Sequence, residues 1–273
     1  MEILFAFAIL FYMLSSAGYF LFLVFQKSVI HKAGLILTGA GFICHTITIG
    51  YDFILFGYLP VNNLYQTLSI AGWALACVFL IFQYRFKLNI LGVYAAPLIS
   101  IILLLACQLP KYPAADQKLF KSIWMVSHIV TIFLGDASLA LACGVGILYL
   151  LQERAIKTKS RGFFFKRLPS LELLDTTGYA AIVFGFTMLT IGLITGVVYA
   201  KSVWSHFWSW DPKEVWAAIA WIYYAILLHE RLVIGFRGRK AAIMAIIGFG
   251  VLIFTFIGVN FLMEGHHGRF TQV

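Results

Sequence analysis

Charge is what this sequence most lacks. Only 11% of its 273 residues are Asp, Glu, Lys or Arg, while 62% are hydrophobic and the mean hydropathy is +0.93. Globular chains carry about a quarter charged residues, so no water-soluble core could cover this much apolar surface. A membrane class follows before any motif is considered. Cysteine is also sparse. Cys44, Cys77, Cys107 and Cys143 stand far apart in apolar runs with no CxxC among them. That excludes a disulfide framework or a zinc site as the organising feature. A basic n-region before the first apolar run is missing too, and the run over 3–25 is too long for a signal h-region. It reads as a first membrane helix.

Long apolar runs are what the chain has instead. A helix needs about 20 apolar residues to cross a core about 30 Å thick. Runs of that kind lie near 3–26, 33–56, 67–84, 89–108, 122–151, 178–199, 212–231 and 241–263. The expected fold is therefore an all-α integral membrane protein with eight transmembrane helices in a single membrane domain, 1–273. The fifth run is long enough to tilt or to project beyond the bilayer.

The net charge of +9 follows a topology rule and needs no nucleic acid to explain it. Fourteen of the 20 Lys and Arg fall in alternate loops: Lys27, Lys32, Arg85, Lys87, six between 154 and 167, and Arg231, Arg237, Arg239 and Lys240. Those loops are expected to be cytoplasmic, with 152–177 as a basic cytoplasmic loop. Both termini and the loops near 57–66, 109–121 and 200–211 are then expected on the outer side.

The densest feature lies there: Trp204-Ser-His-Phe-Trp208-Ser-Trp210-Asp-Pro-Lys-Glu214-Val-Trp216, with four of the chain's seven tryptophans. An interfacial aromatic belt would scatter its indoles over several helix ends. Concentration on the 200–216 segment favours a platform for a planar aromatic ligand. Asp211-Pro212-Lys213-Glu214 reads as the start of helix seven, with Asp as N-cap, Pro at the first helical position and an acid at N3 able to reach back.

Topology sorts the histidines. His128 lies near the outer end of helix five, His267 follows helix eight, and both are expected at the depth of the tryptophans. Two imidazoles on separate helices beside an aromatic platform fit axial ligation of haem iron. His45 and His229 differ in depth by about 14 Å at 1.5 Å per residue, too far to share one iron. His229 either takes a partner from another chain or closes its helix beside Glu230 and Arg231. Asp136, a mid-helix acid, either faces a haem or proton path or is a neutral acid bonded to a neighbouring helix.

With these residues in view, the sequence resembles the CcsA/ResC-type cytochrome c assembly proteins of the haem-handling, WWD-domain superfamily. The likeness rests on Trp208-Ser-Trp210-Asp211-Pro212-Lys213-Glu214 with Trp216 and His229, on Pro60-Val-Asn62-Asn63-Leu64-Tyr65, and on Gly258-Val-Asn260 with Gly265 and His267. The resemblance implies transient binding of haem b at the outer face, with Trp204, Trp208, Trp210, Asp211, Trp216 and Asn63 as contacts and His128 and His267 as iron ligands. It implies a role for His229 in haem passage, its counterpart lying on a ResB/CcsB-type membrane subunit. It implies delivery to the CxxCH motif of apocytochrome c, with no nucleic-acid partner, in a bacterial inner or plasma membrane or a thylakoid-type membrane. The chain would then be the haem-handling subunit of a holocytochrome c synthetase; whether it is itself an enzyme stays open.

Ser205, Phe207 and Gln66 depart from the family's usual Gly, Tyr and acid, and His206 and His266 are extra histidines, so His266 stays open as an alternative to His267. Two rivals remain at this point. One is a HemX-like regulator of haem biosynthesis sharing the fold. The other is a proton- or solute-coupled transporter using Asp136 and His45.

Overall fold

The computed structural model describes residues 2–111, 120–159, 162–163 and 165–262, the side chains of 260 and 261 excepted. His266, His267 and Arg269 therefore lie outside the described residues. Every regular element among those described is helical. The order is α1 (Glu2–Phe25), α2 (Ser28–Phe56), α3 (Leu64–Phe86), a 3-10 turn (Asn89–Leu91), α4 (Gly92–Cys107), α5 (Ile123–Lys157), α6 (Leu171–Trp204), α7 (Pro212–His229), α8 (Arg239–Ile253) and α9 (Val259–Leu262). π-type turns, Glu230–Ile234 and Phe254–Gly258, extend α7 and α8. Eight of these helices are long and apolar enough to cross a membrane, as the hydrophobic runs predict.

The helices overrun the apolar windows in two places. α5 has 35 residues and α6 has 34, about 50 Å each at 1.5 Å per residue, so both project well beyond a 30 Å core. The expected 152–177 loop shrinks to 158–170 as a result. Polar residues stabilise these extensions where hydropathy carries no signal. Glu153 pairs with Lys157 one turn on at 2.7 Å and with Arg239 of α8 at 2.9 Å, and Ser170 caps α6 by accepting from the Leu173 amide. α3 likewise starts at Leu64, because the Asn63 side chain accepts from the Gln66 amide at 2.8 Å.

α1–α4 pack as one half and α5–α8 as the other, with α3 against α5 at the junction. α5 and α6 make the most extensive contact, and small residues explain it. A Cβ added at Gly135 would lie 3.1 Å from the carbonyl of Gly185 and from the amide of Leu189, so only glycine lets these backbones approach so closely. Cross-links mark the two ends of the bundle. Lys111 pairs with Glu2 at one end, while Arg167 donates to the Val24 carbonyl at the other. The helix ends thus alternate as the spans require.

Candidate functional site at the tryptophan segment

Local capping builds the segment. α6 runs on through Trp204 and stops at Ser205, whose φ of 64° is left-handed. Lys201 donates to the Ser205 carbonyl at 2.8 Å and lies over the Phe207 ring. Seven residues, 205–211, form the loop itself. At its far end the Asp211 side chain accepts from the Lys213 amide at 2.9 Å and Pro212 opens α7. Glu214, at the third helical position, reaches further back than the cap residue. It reaches back to Ser209, accepting from the amide at 2.9 Å and from the hydroxyl at 3.0 Å. The loop is therefore anchored at both ends by side chains from its flanking helices.

This anchoring presents aromatic faces. Trp210 is 78% exposed, Phe207 58% and Trp208 38%, and Trp208 and Trp210 meet edge to face with centroids 5.8 Å apart. Trp210 itself holds a φ of 61°, a strained setting for a bulky residue that throws the indole outward. Trp204 is half-buried, with its ring edge-on to Tyr199. Trp216 turns the other way and packs on Phe254 of the α8 π-type turn at 4.5 Å. Asp211 is buried beneath the loop as a cap, and Asn63 is buried at the start of α3. His206 lies exposed in the loop.

His128 occupies a prepared seat. Its Nδ1 lies 2.7 Å from the carbonyl oxygen of Gly192 on α6. A carbonyl only accepts, so Nδ1 carries the proton and Nε2 carries the lone pair, the arrangement that suits a metal-binding imidazole. A Cβ at Gly196 would lie 2.6 Å from that Nδ1. Gly196 thus opens the slot that receives the ring, while Gly192, four residues earlier on α6, supplies the carbonyl and itself faces Ile132 and Thr131. Neither glycine belongs to the motif read from the sequence, although their GxxxG spacing was a signal for close approach.

Depth can be read across the bundle. Trp221 of α7 donates to Thr190 of α6 at 2.9 Å, which sets Trp216 roughly level with the Gly192–Gly196 stretch. His128 is therefore level with the inner end of the segment. Trp204 lies eight residues past Gly196, about 12 Å along α6, so the exposed indoles stand above the imidazole. Asp136, two turns below His128, has a buried Oδ1 without a hydrogen bond, and Lys213 is the cation acting on it.

The structure keeps His229 and His45 away from this site. His229 ends α7, exposed, next to a lock in which Arg231 donates to both carboxylate oxygens of Asp175 at 3.0 and 2.6 Å and lies over Tyr179. His45 is fully buried in the other half, with its Nε2 2.9 Å from the Ser69 hydroxyl.

Comparison with known proteins agrees with this architecture. The family model "Cytochrome C assembly protein" matches residues 61–267, which includes both the Asn63 cap and the tryptophan segment. "Cytochrome c biogenesis protein CcsA" of Guillardia theta is 34% identical over 277 residues, covering 93% of this chain and 91% of that protein. The proteins of the same name from Prochlorococcus marinus strain MIT 9301 and Chlorella vulgaris are 34% and 31% identical, covering 81% and 88% of this chain and 79% and 87% of their own lengths. A solved structure, "Cytochrome c Heme Lyase CcmF", superposes with a TM-score of 0.64 at 16% identity over 98% of this chain, which spans 48% of that structure and shares its fold. This chain is a multi-pass membrane protein of cytochrome c biogenesis and belongs to the cytochrome c assembly protein family.

Proposed function

We propose that this chain takes up haem as cargo, holds it at the outer end of α5–α8 and presents it to apocytochrome c for covalent attachment at a CxxCH motif. The observation that carries this reading is the seat of His128. Its imidazole is held by the Gly192 carbonyl in a tautomer that can coordinate iron, in space left open by Gly196, level with Trp216 and below exposed indoles. A packing role alone would account for the hydrogen bond to Gly192 but leaves the open aromatic faces above it without a partner.

In this reading His128 supplies one axial nitrogen and His267 the other, and Trp204, Trp208 and Trp210 contact the macrocycle. Asp211, Glu214 and Asn63 hold the loops that carry those contacts. Trp216 braces α7 against α8. His229, exposed at the other end of α7, meets a ligand from a membrane partner of the ResB/CcsB type. The cargo is haem b, and the tryptophan segment faces the outside of a plasma or thylakoid-type membrane. Positioning alone lowers the barrier to thioether formation, since holding reactants together is itself catalytic.

The test is haem content. Wild type purified from haem-replete cells is expected to carry haem by pyridine haemochrome, and His128→Ala and His267→Ala are each expected to lose most of it. A haem-free wild type, or two variants loaded like wild type, contradicts the reading.

A further inference from the structure

The half of the molecule that carries no tryptophan segment has a polar seam of its own. α1 and α2 run antiparallel and face each other at heptad spacing: Phe5, Ala8, Tyr12, Ser15, Tyr19 and Phe22 are buried on one side, and His31, Gly34, Thr38, Gly41, His45 and Thr48 on the other. The pairs meet in register. Ser15 bonds Thr38 at 2.7 Å, and Tyr12 and Tyr19 lie against Gly41 and Gly34, where an added Cβ would be 3.1 and 3.2 Å from their rings. Phe22 meets His31 at 5.3 Å. Coiled-coil seams of this spacing are ordinarily apolar.

The polar groups form a column between two histidines. His31 and His45 lie fourteen residues apart on α2, about 21 Å along the axis. Between them come Tyr19, the Ser15–Thr38 pair, the Ser16–Ser100 pair at 2.9 Å and Tyr12. Beyond His31 the column continues through Gln83 at 3.3 Å to Asn89 at 2.8 Å, and Asn89 is exposed. Beyond His45 it stops, because the Phe5 ring covers the imidazole at 5.4 Å and Tyr65 packs behind Phe5 at 5.7 Å.

Interhelical hydrogen bonds often serve as glue in membranes, and the two serine pairs would suffice for that. Glue does not account for what is left over. Tyr12 Oη, His45 Nδ1 and Gln83 Oε1 are buried along the column with no hydrogen-bond partner. Buried polar atoms of this kind normally hold water. Nor does glue need titratable rings. Tyr12 lies edge-on to His45, with Cys44 and Cys77 near Tyr12, and among the described residues neither imidazole is paired with a carboxylate.

We infer that the α1–α2 seam is a hydrated proton inlet, open at Asn89 and closed at Phe5, through which the buried imidazole of His45 exchanges protons with water at the Asn89 end. A proton arrives from water at Nδ1 while Nε2 keeps its bond to Ser69, and it leaves by the same route. The Phe5 stop keeps this inlet from short-circuiting the membrane. The inference is independent of where haem binds.

Water-edited solid-state NMR of the full chain in lipid, with 15N-labelled histidine, tests it. His45 is identified by its contacts to the rings of Phe5 and Tyr12, and exposed His206 is the reference. The inlet predicts that water magnetisation reaches the His45 ring nitrogens in wild type within about a few-fold of the time it takes to reach His206. It also predicts that Thr38→Val slows the transfer to His45 several-fold and leaves His31 unchanged. No transfer to His45 in wild type overturns the inference, and so does a Thr38→Val protein whose His45 fills as fast as before.

Discussion

Nδ1 of His128 donates to the carbonyl of Gly192 at 2.7 Å. That bond joins α5 to α6 and fixes which imidazole nitrogen carries the proton and which keeps its lone pair. It also makes a glycine on a neighbouring helix part of the site.

Replacing Gly196 by alanine puts a methyl group 2.6 Å from Nδ1 of His128, so the ring must leave its seat. Disturbing the outer partners of a metal-bound histidine typically lowers affinity 10- to 100-fold. Gly196→Ala is expected to lower haem occupancy by at least about tenfold, measured by haemochrome at equal protein. Occupancy equal to wild type would remove the slot from the account.

The two acids at the start of α7 differ in what they hold. Asp211→Ala removes an N-cap worth about 1 kcal/mol, whereas Asp211→Asn keeps it. Glu214→Ala breaks two bonds to Ser209 and costs about 1.5 kcal/mol. Thermal unfolding in detergent should rank the two alanine variants in that order below wild type. Faster proteolytic cleavage within 205–211 should appear in Glu214→Ala before it appears in Asp211→Ala.

At the other end of the bundle, Arg231 and Asp175 form an ion pair with side chains only 9% and 18% exposed. Removing one partner leaves the other charge poorly solvated, so Arg231→Ala is expected to cost about 3 kcal/mol. Arg231→Met combined with Asp175→Leu should cost less than Arg231→Ala alone. A double-mutant cycle on thermal unfolding measures this, and additive losses would contradict it.

The positive-inside rule predicts that the tryptophan segment faces outward and the 158–170 loop inward. In a chain with its four cysteines replaced, a cysteine introduced at Ser205 should react with an impermeant maleimide added outside intact cells. One introduced at Thr158 should react only after the cells are opened. The reverse pattern would invert the topology.

Much of this was legible in the sequence, and the reasons differ by residue. Span number was legible because hydropathy is a sum over about 20 residues and tolerates local error. Helix ends were less so: α5 and α6 run past their apolar windows on the strength of Glu153, Lys157, Arg239 and Ser170, single polar contacts that no window average registers. The Asp211-Pro212 start of α7 was readable since capping is a local rule, and Glu214 bonded to Ser209 was not, because the loop conformation decides that reach. His128 could be nominated from its depth, but its tautomer and glycine slot depend on α6, sixty-four residues away in the chain. The α1–α2 polar seam escaped notice for a similar reason. His45 stands out in the sequence, but only the antiparallel register brings its neighbours into a column.

The central claim is that His128 binds haem iron through Nε2. Near-infrared magnetic circular dichroism of the oxidised, haem-loaded protein reads the axial ligands directly. Wild type is expected to show a bis-imidazole signature, His128→Ala to lose it, and that variant to regain it when free imidazole is added. A His128→Ala protein that keeps the wild-type signature without added imidazole would contradict it.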